Sequence, residues 1–96
     1  MVKTEPFDAA RYLRSPESQA ELLNDALASG DAGYVAQALG VIARARGMTE
    51  VARSAGVTRE ALYKALSEQG DPRLTTLLGV ARALGVTLTA RIEPAE

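Results

Sequence analysis

The sequence predicts a mainly α-helical fold of five helices followed by one short C-terminal β-strand. Apolar residues recur at intervals of three and four along most of the chain, which is the period of an amphipathic helix. Glycines, at which helices commonly end, separate these periodic stretches. The separating glycines are Gly30, Gly47, Gly56 and Gly70. After Gly85 the apolar residues alternate with polar ones instead, and this is the period of a strand.

The composition describes a small protein with few groups suited to catalysis. The 96 residues are 47% hydrophobic and 24% charged, which fits one domain with one core. The chain has no cysteine and no histidine, so it lacks disulfides, thiolate ligands and the commonest acid–base group. It also has no apolar run of membrane-spanning length and no recognisable signal peptide. We therefore expect a cytoplasmic, non-enzymatic protein without a metal, a cofactor or a membrane partner.

Charge is distributed unevenly along the chain, although the formal net charge is only -1. Residues 1–33 carry six acidic and three basic side chains, whereas residues 44–73 carry four acidic and six basic ones. Such asymmetry allows different segments to bind partners of opposite charge. We expect an acidic N-terminal segment and a mildly basic middle.

The first two helices are predicted over residues 16–29 and 31–46. Ser15 is placed to cap the first helix, with Pro16 at its first position, and Asp31 opens the second. The apolar stripes are Leu23, Ala26 and Leu27 in the first helix and Val35, Ala38, Leu39 and Ile42 in the second. Ahead of them, Asp8 is placed to cap a short additional turn of helix.

Three further helices are predicted downstream. One spans residues 48–55, and the next begins after Thr58 as its cap and continues to about Gln69. Pro72 introduces the last helix, whose broad apolar stripe marks it as the central helix of the core. That stripe consists of Leu74, Leu77, Leu78, Ala81 and Leu84.

The C-terminal alternation predicts a strand that needs a partner. Its apolar face consists of Val86, Leu88, Ala90 and Ile92. A single strand cannot satisfy its own backbone groups, so we expect it to pair with the same strand of a second copy in a homodimer. The alternative is a tail that packs on the helices.

The stretch MTEVARSAGVTREALYKAL, residues 48–66, has the spacing of a helix-turn-helix. Such a unit needs a small residue where the helices touch, a turn residue that accepts positive φ, and apolar anchors on the second helix. Ala52 and Gly56 supply the first two, Val57 fills the corner, and Leu62, with Ala65 and Leu66, faces inward. The alternative is a pair of helices that only pack together.

With those positions inward, the polar side chains of the second helix face outward at its N-terminal half, which is the part that meets base edges in the major groove. The predicted base-reading set is Thr58, Arg59, Glu60, Tyr63 and Lys64. Thr49 and Arg53, on the first helix, are predicted to bind phosphates. The sequence thus favours double-stranded DNA as a partner.

Two resemblances extend this interpretation. The run MTEVARSAGVTREALYKALSEQGDPRLTTLLGVARALGV, residues 48–86, resembles the Xre (lambda repressor-like) family of helix-turn-helix proteins. Nearly the whole chain, most clearly in ARARGMT and REALYKALS, looks like the addiction-module antidote proteins, the HigA-like antitoxins of type II toxin–antitoxin pairs. This likeness implies a dimer that neutralises a RelE/ParE-superfamily (HigB-like) toxin and represses its own operon.

A toxin that acts on RNA would be basic, so we expect its contact surface in the acidic first third of the chain. Apolar anchors there would supply much of the binding energy. The predicted toxin-binding residues are Phe7, Asp8, Tyr12, Leu13, Glu17, Glu21, Leu22 and Asp25. Alternatively, the apolar members of this set only cover the helical core.

The predicted organisation has three parts. Residues 1–30 form the toxin-binding segment, residues 31–85 the Xre-type domain, and residues 86–96 the dimerisation strand and tail. Two other functions remain open, a stand-alone repressor and a protein-interaction module that has lost DNA binding.

Overall fold

The computed structural model describes residues 15–95, which form five α-helices joined by short connections. The helices are α1 (Pro16–Ser29), α2 (Ala32–Arg46), α3 (Met48–Ala55), α4 (Arg59–Ala65) and α5 (Leu74–Ala83). The predicted mainly helical class is confirmed. The additional turn predicted near Asp8 lies outside the described residues. Within residues 15–95, no helix has the length and apolar character that crossing a membrane requires.

Side-chain caps fix where α1 and α2 begin, as the sequence predicted. The backbone N–H of Ser18 donates to the Ser15 hydroxyl oxygen at 3.1 Å. At α2, the N–H groups of Gly33 and Tyr34 donate to the same Asp31 carboxylate oxygen, at 2.9 and 3.3 Å. These bonds satisfy N–H groups that have no partner inside the helix.

Replacing Asp31 with alanine should lower the free energy of unfolding by about 1 kcal/mol, because two backbone donors of α2 lose their acceptor. Urea denaturation of the variant measures the loss. Asp31→Asn is the matched control, since asparagine caps as well as aspartate and should leave stability close to that of the parent. If both variants were equally destabilised, the charge near the helix dipole would be responsible rather than the cap.

The core is centred on α2, which contributes more buried residues than any other described helix. Gly40 faces the end of α4, where a Cβ atom on the glycine would lie 2.5 Å from the Leu66 carbonyl oxygen. The backbone of α2 therefore approaches the end of α4 more closely than an alanine would allow. The largest fully buried side chains are Ile42, Val51, Leu62, Leu66 and Val80.

The prediction that α5 is the central helix of the core is wrong, since α2 contributes more buried residues. Leu74 and Leu78, both assigned to its buried stripe, are 67% and 48% exposed. The buried face of α5 is instead centred on Val80, and Gly79 lies close to the backbone of Ala55 in α3. Because α5 faces α3 at Gly79, Leu78 lies beside the buried face of α5 and remains half-exposed.

Helix α4 ends earlier than predicted, at Ala65 rather than near Gln69. The N–H of Leu66 still bonds to the Leu62 carbonyl, but the Ser67 hydroxyl donates to the Lys64 carbonyl at 2.9 Å. Serine side chains compete with the helical backbone in this way. The chain therefore leaves the helix in a turn after Leu66.

The predicted C-terminal strand is absent from the described residues of this single chain. The N–H of Val86 bonds to the Ala81 carbonyl at 2.8 Å, and from Thr87 through Ala95 no backbone–backbone hydrogen bond to another described residue forms. The physical reason is that a strand is defined by hydrogen bonds to a neighbouring strand, and the described helices offer none. Apolar and polar side chains alternate along the segment, but within the described residues no neighbouring strand forms hydrogen bonds with it.

Candidate nucleic-acid interface

The α3–α4 unit, residues 48–65, positions the side chains that the sequence assigned to DNA. Gly56 ends α3 with φ 76°, and the N–H of Val57 bonds to the Ala52 carbonyl at 3.0 Å. The Thr58 hydroxyl then accepts from the Ala61 N–H at 3.0 Å, which starts α4 at Arg59. Glycine suits this turn because other residues resist a positive φ.

The predicted inward and outward faces of α4 are confirmed. Leu62 and Leu66 are 0% and 1% exposed, and Ala52, on the facing side of α3, is 3% exposed. The five residues predicted to face outward are all exposed: Thr58, Arg59, Glu60, Tyr63 and Lys64. The first two turns of α4 thus present a continuous polar surface to solvent.

Arg59 and Tyr63, one helical turn apart, form the most organised part of this surface. The Arg59 guanidinium carbon lies 5.5 Å from the centre of the Tyr63 ring. Its Nη2 donates to the Tyr63 hydroxyl at 3.4 Å. A cation over an aromatic ring is attracted to it by about 0.5–1 kcal/mol at exposed sites. The ring therefore restricts the conformations of Arg59 before any ligand binds.

Arg44, in the last turn of α2, joins this cluster although the sequence analysis did not include it. Its guanidinium carbon lies 5.8 Å from the centre of the same Tyr63 ring. The signal available in the sequence was a basic residue in the last turn of α2. What placed it beside α4 was the packing of three helices, which sequence spacing does not encode.

A shallow hollow links this cluster to the N-terminal end of α3. It is lined by Arg44, Gly47, Met48, Thr49, Glu50, Arg59 and Tyr63. No side chain caps α3, so no side-chain acceptor satisfies the backbone N–H groups of its first turn. The hollow thus brings two arginines and one glutamate to the start of α3, a recess with a formal excess of one positive charge.

Arg53, the second predicted phosphate ligand, has a partner within α3. Its Nη2 donates to Glu50 Oε1 at 2.5 Å, and both side chains are more than 60% exposed. Exposed ion pairs contribute little to stability and exchange easily. The pairing reduces the positive charge at this point without removing the arginine from solvent.

The residues assigned to the toxin lie apart from this hollow or outside the described chain. Phe7, Asp8, Tyr12 and Leu13 precede the first described residue. On α1, Glu17, Glu21 and Asp25 are exposed, and Leu22 is half-buried against the core. The Asp25 carboxylate accepts a hydrogen bond from the Tyr34 hydroxyl at 2.5 Å and raises the pKa of Tyr34 through this bond. Asp25 therefore also ties α1 to α2.

The described residues offer no candidate for a metal centre. Within residues 15–95, no three acidic side chains come together in a way that would hold a metal ion. The chemistry available on this surface is that of arginine, lysine and backbone N–H donors. These groups bind anions.

Comparison with known proteins identifies the family. The family model described as "Probable addiction module antidote protein" matches residues 3–92. A Haemophilus influenzae protein described as uncharacterized is 45% identical over 80 residues, which cover 83% of this chain and 82% of the relative. No solved structure matches the chain at a significant level. Because the family model spans nearly its whole length, the chain belongs to the family of addiction-module antidote proteins.

Proposed function

We propose that the protein is the antitoxin of a type II toxin–antitoxin pair, with one surface for DNA and another for the toxin. Membership in an antidote family implies a toxin as partner. As an Xre-type helix-turn-helix protein acting as a dimer, it represses its own operon. The toxin that it neutralises is a small basic protein of the RelE/ParE superfamily.

The observation that carries the DNA-binding part is the exposed cluster at the start of α4. Arg59, Glu60 and Lys64 lie on the first two turns of the second helix of the unit, where side chains reach base edges in the major groove. Arginine and lysine donate to guanine, and glutamate accepts from the cytosine amine. Contact with the Tyr63 ring favours one conformation of Arg59, which reduces the entropy lost on binding.

The recess beside this cluster suits a phosphate of the DNA backbone. Arg44 supplies a charge from α2, and Thr49 supplies a hydroxyl at the uncapped start of α3. Phosphate contacts of this kind fix the orientation of a protein on the duplex while base contacts supply specificity. Arg53 becomes a further phosphate ligand when its ion pair with Glu50 opens and its guanidinium group binds the DNA backbone instead.

The opposite charge of α1 supports a separate toxin surface. Its described residues include Glu17, Glu21 and Asp25 and no basic residue. Leu22 packs against the core and so contributes less apolar surface than the sequence predicted. A basic toxin is attracted to α1 and repelled by the arginines around Tyr63, so charge directs the two partners to different places.

Two measurements on the full-length protein test the proposal. Coexpression with the product of the adjacent gene, followed by affinity purification, should yield a stable complex of the two proteins. Gel shifts on the promoter DNA of its own gene should show binding that weakens steeply as salt rises, since each phosphate contact releases counterions. Salt-insensitive or absent binding to this promoter would favour the alternative of a protein-interaction module that has lost DNA binding. Absence of a copurifying protein would favour the alternative of a stand-alone repressor.

Replacing Arg44 with glutamine should remove one phosphate contact. The slope of log affinity against log salt concentration should become shallower by about one unit, with similar effects on operator and unrelated DNA. Arg82→Gln is the matched control because Arg82 is exposed at the end of α5 and neither lines the hollow nor contacts the Tyr63 ring. An unchanged slope in Arg44→Gln would show that Arg44 only packs on Tyr63.

A further inference from the structure

The hollow beside Tyr63 contains one acidic side chain among its described residues. Glu50, in the first turn of α3, lines the hollow together with Arg44 and Arg59. Its Oε1 lies 2.5 Å from Nη2 of Arg53, one turn further along α3. An acidic group therefore lies where the proposed function places a DNA phosphate.

Glu50 has two roles that concern α3 alone. A carboxylate in the first turn of a helix is favoured by the helix dipole, and an exposed ion pair one turn apart adds a small stabilisation. If these were its only roles, removing the charge would lower the stability of the protein and would not raise its affinity for DNA. The two arginines beside Glu50 in the hollow indicate a third role.

We propose that Glu50 competes with DNA phosphates for the arginines around it and so limits the affinity of this surface for DNA. In the free protein its carboxylate pairs with Arg53 and leaves the hollow with a formal excess of one positive charge instead of two. DNA binding breaks that pair. The inference rests on the proposed DNA-binding function and adds the residue that limits it.

Two electrostatic costs of DNA binding arise at Glu50. Arg53 reaches a phosphate only by giving up its ion pair, so the old contact is lost as the new one forms. The freed carboxylate then repels the phosphate held by Arg44 in the same hollow, because like charges repel over several ångströms at a protein surface. Both costs vanish when Glu50 carries no charge.

The consequence is a greater dependence on base contacts. Phosphate contacts supply essentially all of the affinity for DNA of unrelated sequence. Weaker attraction to phosphate leaves a larger share of the binding free energy to Arg59 and Lys64 on α4, which are proposed to contact bases. The protein then binds tightly only where its base contacts are also satisfied.

Glu50→Gln in the full-length protein tests the proposal, since glutamine keeps the size of the side chain and removes its charge. Affinity for the promoter DNA of its own gene and for unrelated DNA, measured by fluorescence anisotropy, should rise by about two- to fivefold at low salt. The gain should shrink as salt rises, because salt screens exposed charges. Urea denaturation should show unchanged or slightly lower stability, so a role confined to α3 does not account for tighter DNA binding.

Glu93→Gln is the matched control. Glu93 also forms an exposed ion pair, with Arg91 at 2.7 Å, but it does not line the hollow. The substitution changes the net charge by the same amount and should leave DNA affinity close to that of the parent. An equal rise in both variants would show that only net charge matters, and would overturn the role of Glu50.

Arg53→Gln, alone and combined with Glu50→Gln, tests the exchange of partners. If Glu50 and phosphate compete for Arg53, losing Arg53 should lower DNA affinity more in the Glu50→Gln background than in the parent, because in that background no ion pair has to be broken. Equal losses in the two backgrounds would overturn the competition for Arg53.

The remaining outcomes separate this inference from the proposed function. A parent protein that does not bind promoter DNA would overturn the proposed function itself. A parent that binds, together with unchanged or lower affinity of Glu50→Gln for both DNAs, would overturn the inference alone. A loss confined to promoter DNA would indicate that Glu50 accepts a hydrogen bond from a cytosine amine, and would overturn the inference as well.

Discussion

Gly40→Ala should lower the free energy of unfolding by about 1–3 kcal/mol, although alanine is the better helix former by about 1 kcal/mol. A Cβ atom at this position would lie 2.5 Å from the Leu66 carbonyl oxygen and 3.3 Å from the Leu66 Cβ atom. The nearest atom belongs to backbone, which cannot rotate away as a flexible side chain would. The end of α4 must therefore shift away from α2.

Denaturation of the variant by urea measures this cost, and Gln37→Ala is the matched control. Both changes place alanine within α2, but Gln37 is exposed, so only helix propensity acts there and stability should stay equal or rise. Equal stability of the two variants would contradict the close approach of α2 to α4. Because α4 carries Arg59, Gly40→Ala should also weaken DNA binding through displacement of the helix.

Helix starts were predictable from sequence because their causes are local. Ser15, Asp31 and Thr58 each accept a hydrogen bond from an N–H two or three residues later, and this geometry depends only on the neighbouring chain. The outward face of α4 was predictable for a similar reason. Once Leu62 and Leu66 are inward, the period of the helix fixes where Arg59 and Tyr63 point.

The features that sequence reasoning missed depend on how helices pack. Leu78 has the spacing of a core residue, yet α5 meets α3 through Gly79 and Val80 and leaves Leu78 at the side. Arg44 has the position of an ordinary helix-ending arginine, yet it lies at the ring of Tyr63, nineteen positions along the chain. Periodicity gives the face of a helix but not the angle at which another helix crosses it.

The C-terminal segment fails as a strand for a different reason. Its alternation satisfies the local requirement for a strand, but the hydrogen bonds have to come from elsewhere. Within residues 15–95 no other strand exists to pair with it. Alternation of side chains can be recognised in a sequence, whereas the hydrogen-bond partner that a strand needs cannot.

Arg59→Ala should reduce affinity for the operator by about 1–3 kcal/mol if Arg59 reads a guanine, which corresponds to roughly five- to 150-fold in the dissociation constant. The side chain is exposed at the first position of α4 and held near the Tyr63 ring. The alanine variant loses the pair of guanidinium N–H donors that would bind the guanine. Gel shifts with operator and unrelated DNA at one salt concentration separate loss of base reading, which affects the operator more, from loss of charge, which affects both equally.

Arg59→Lys is the matched variant that distinguishes base reading from charge. Lysine keeps the positive charge but cannot offer the planar pair of donors that guanine accepts. If Arg59 reads a base, lysine should recover affinity for unrelated DNA while discrimination in favour of the operator stays low. Full recovery of operator affinity would assign Arg59 to a phosphate instead. Copurification of the toxin should be unaffected in both variants, because the acidic residues of α1 are intact; a parallel loss of toxin binding would indicate a folding defect and contradict the separation of the two surfaces.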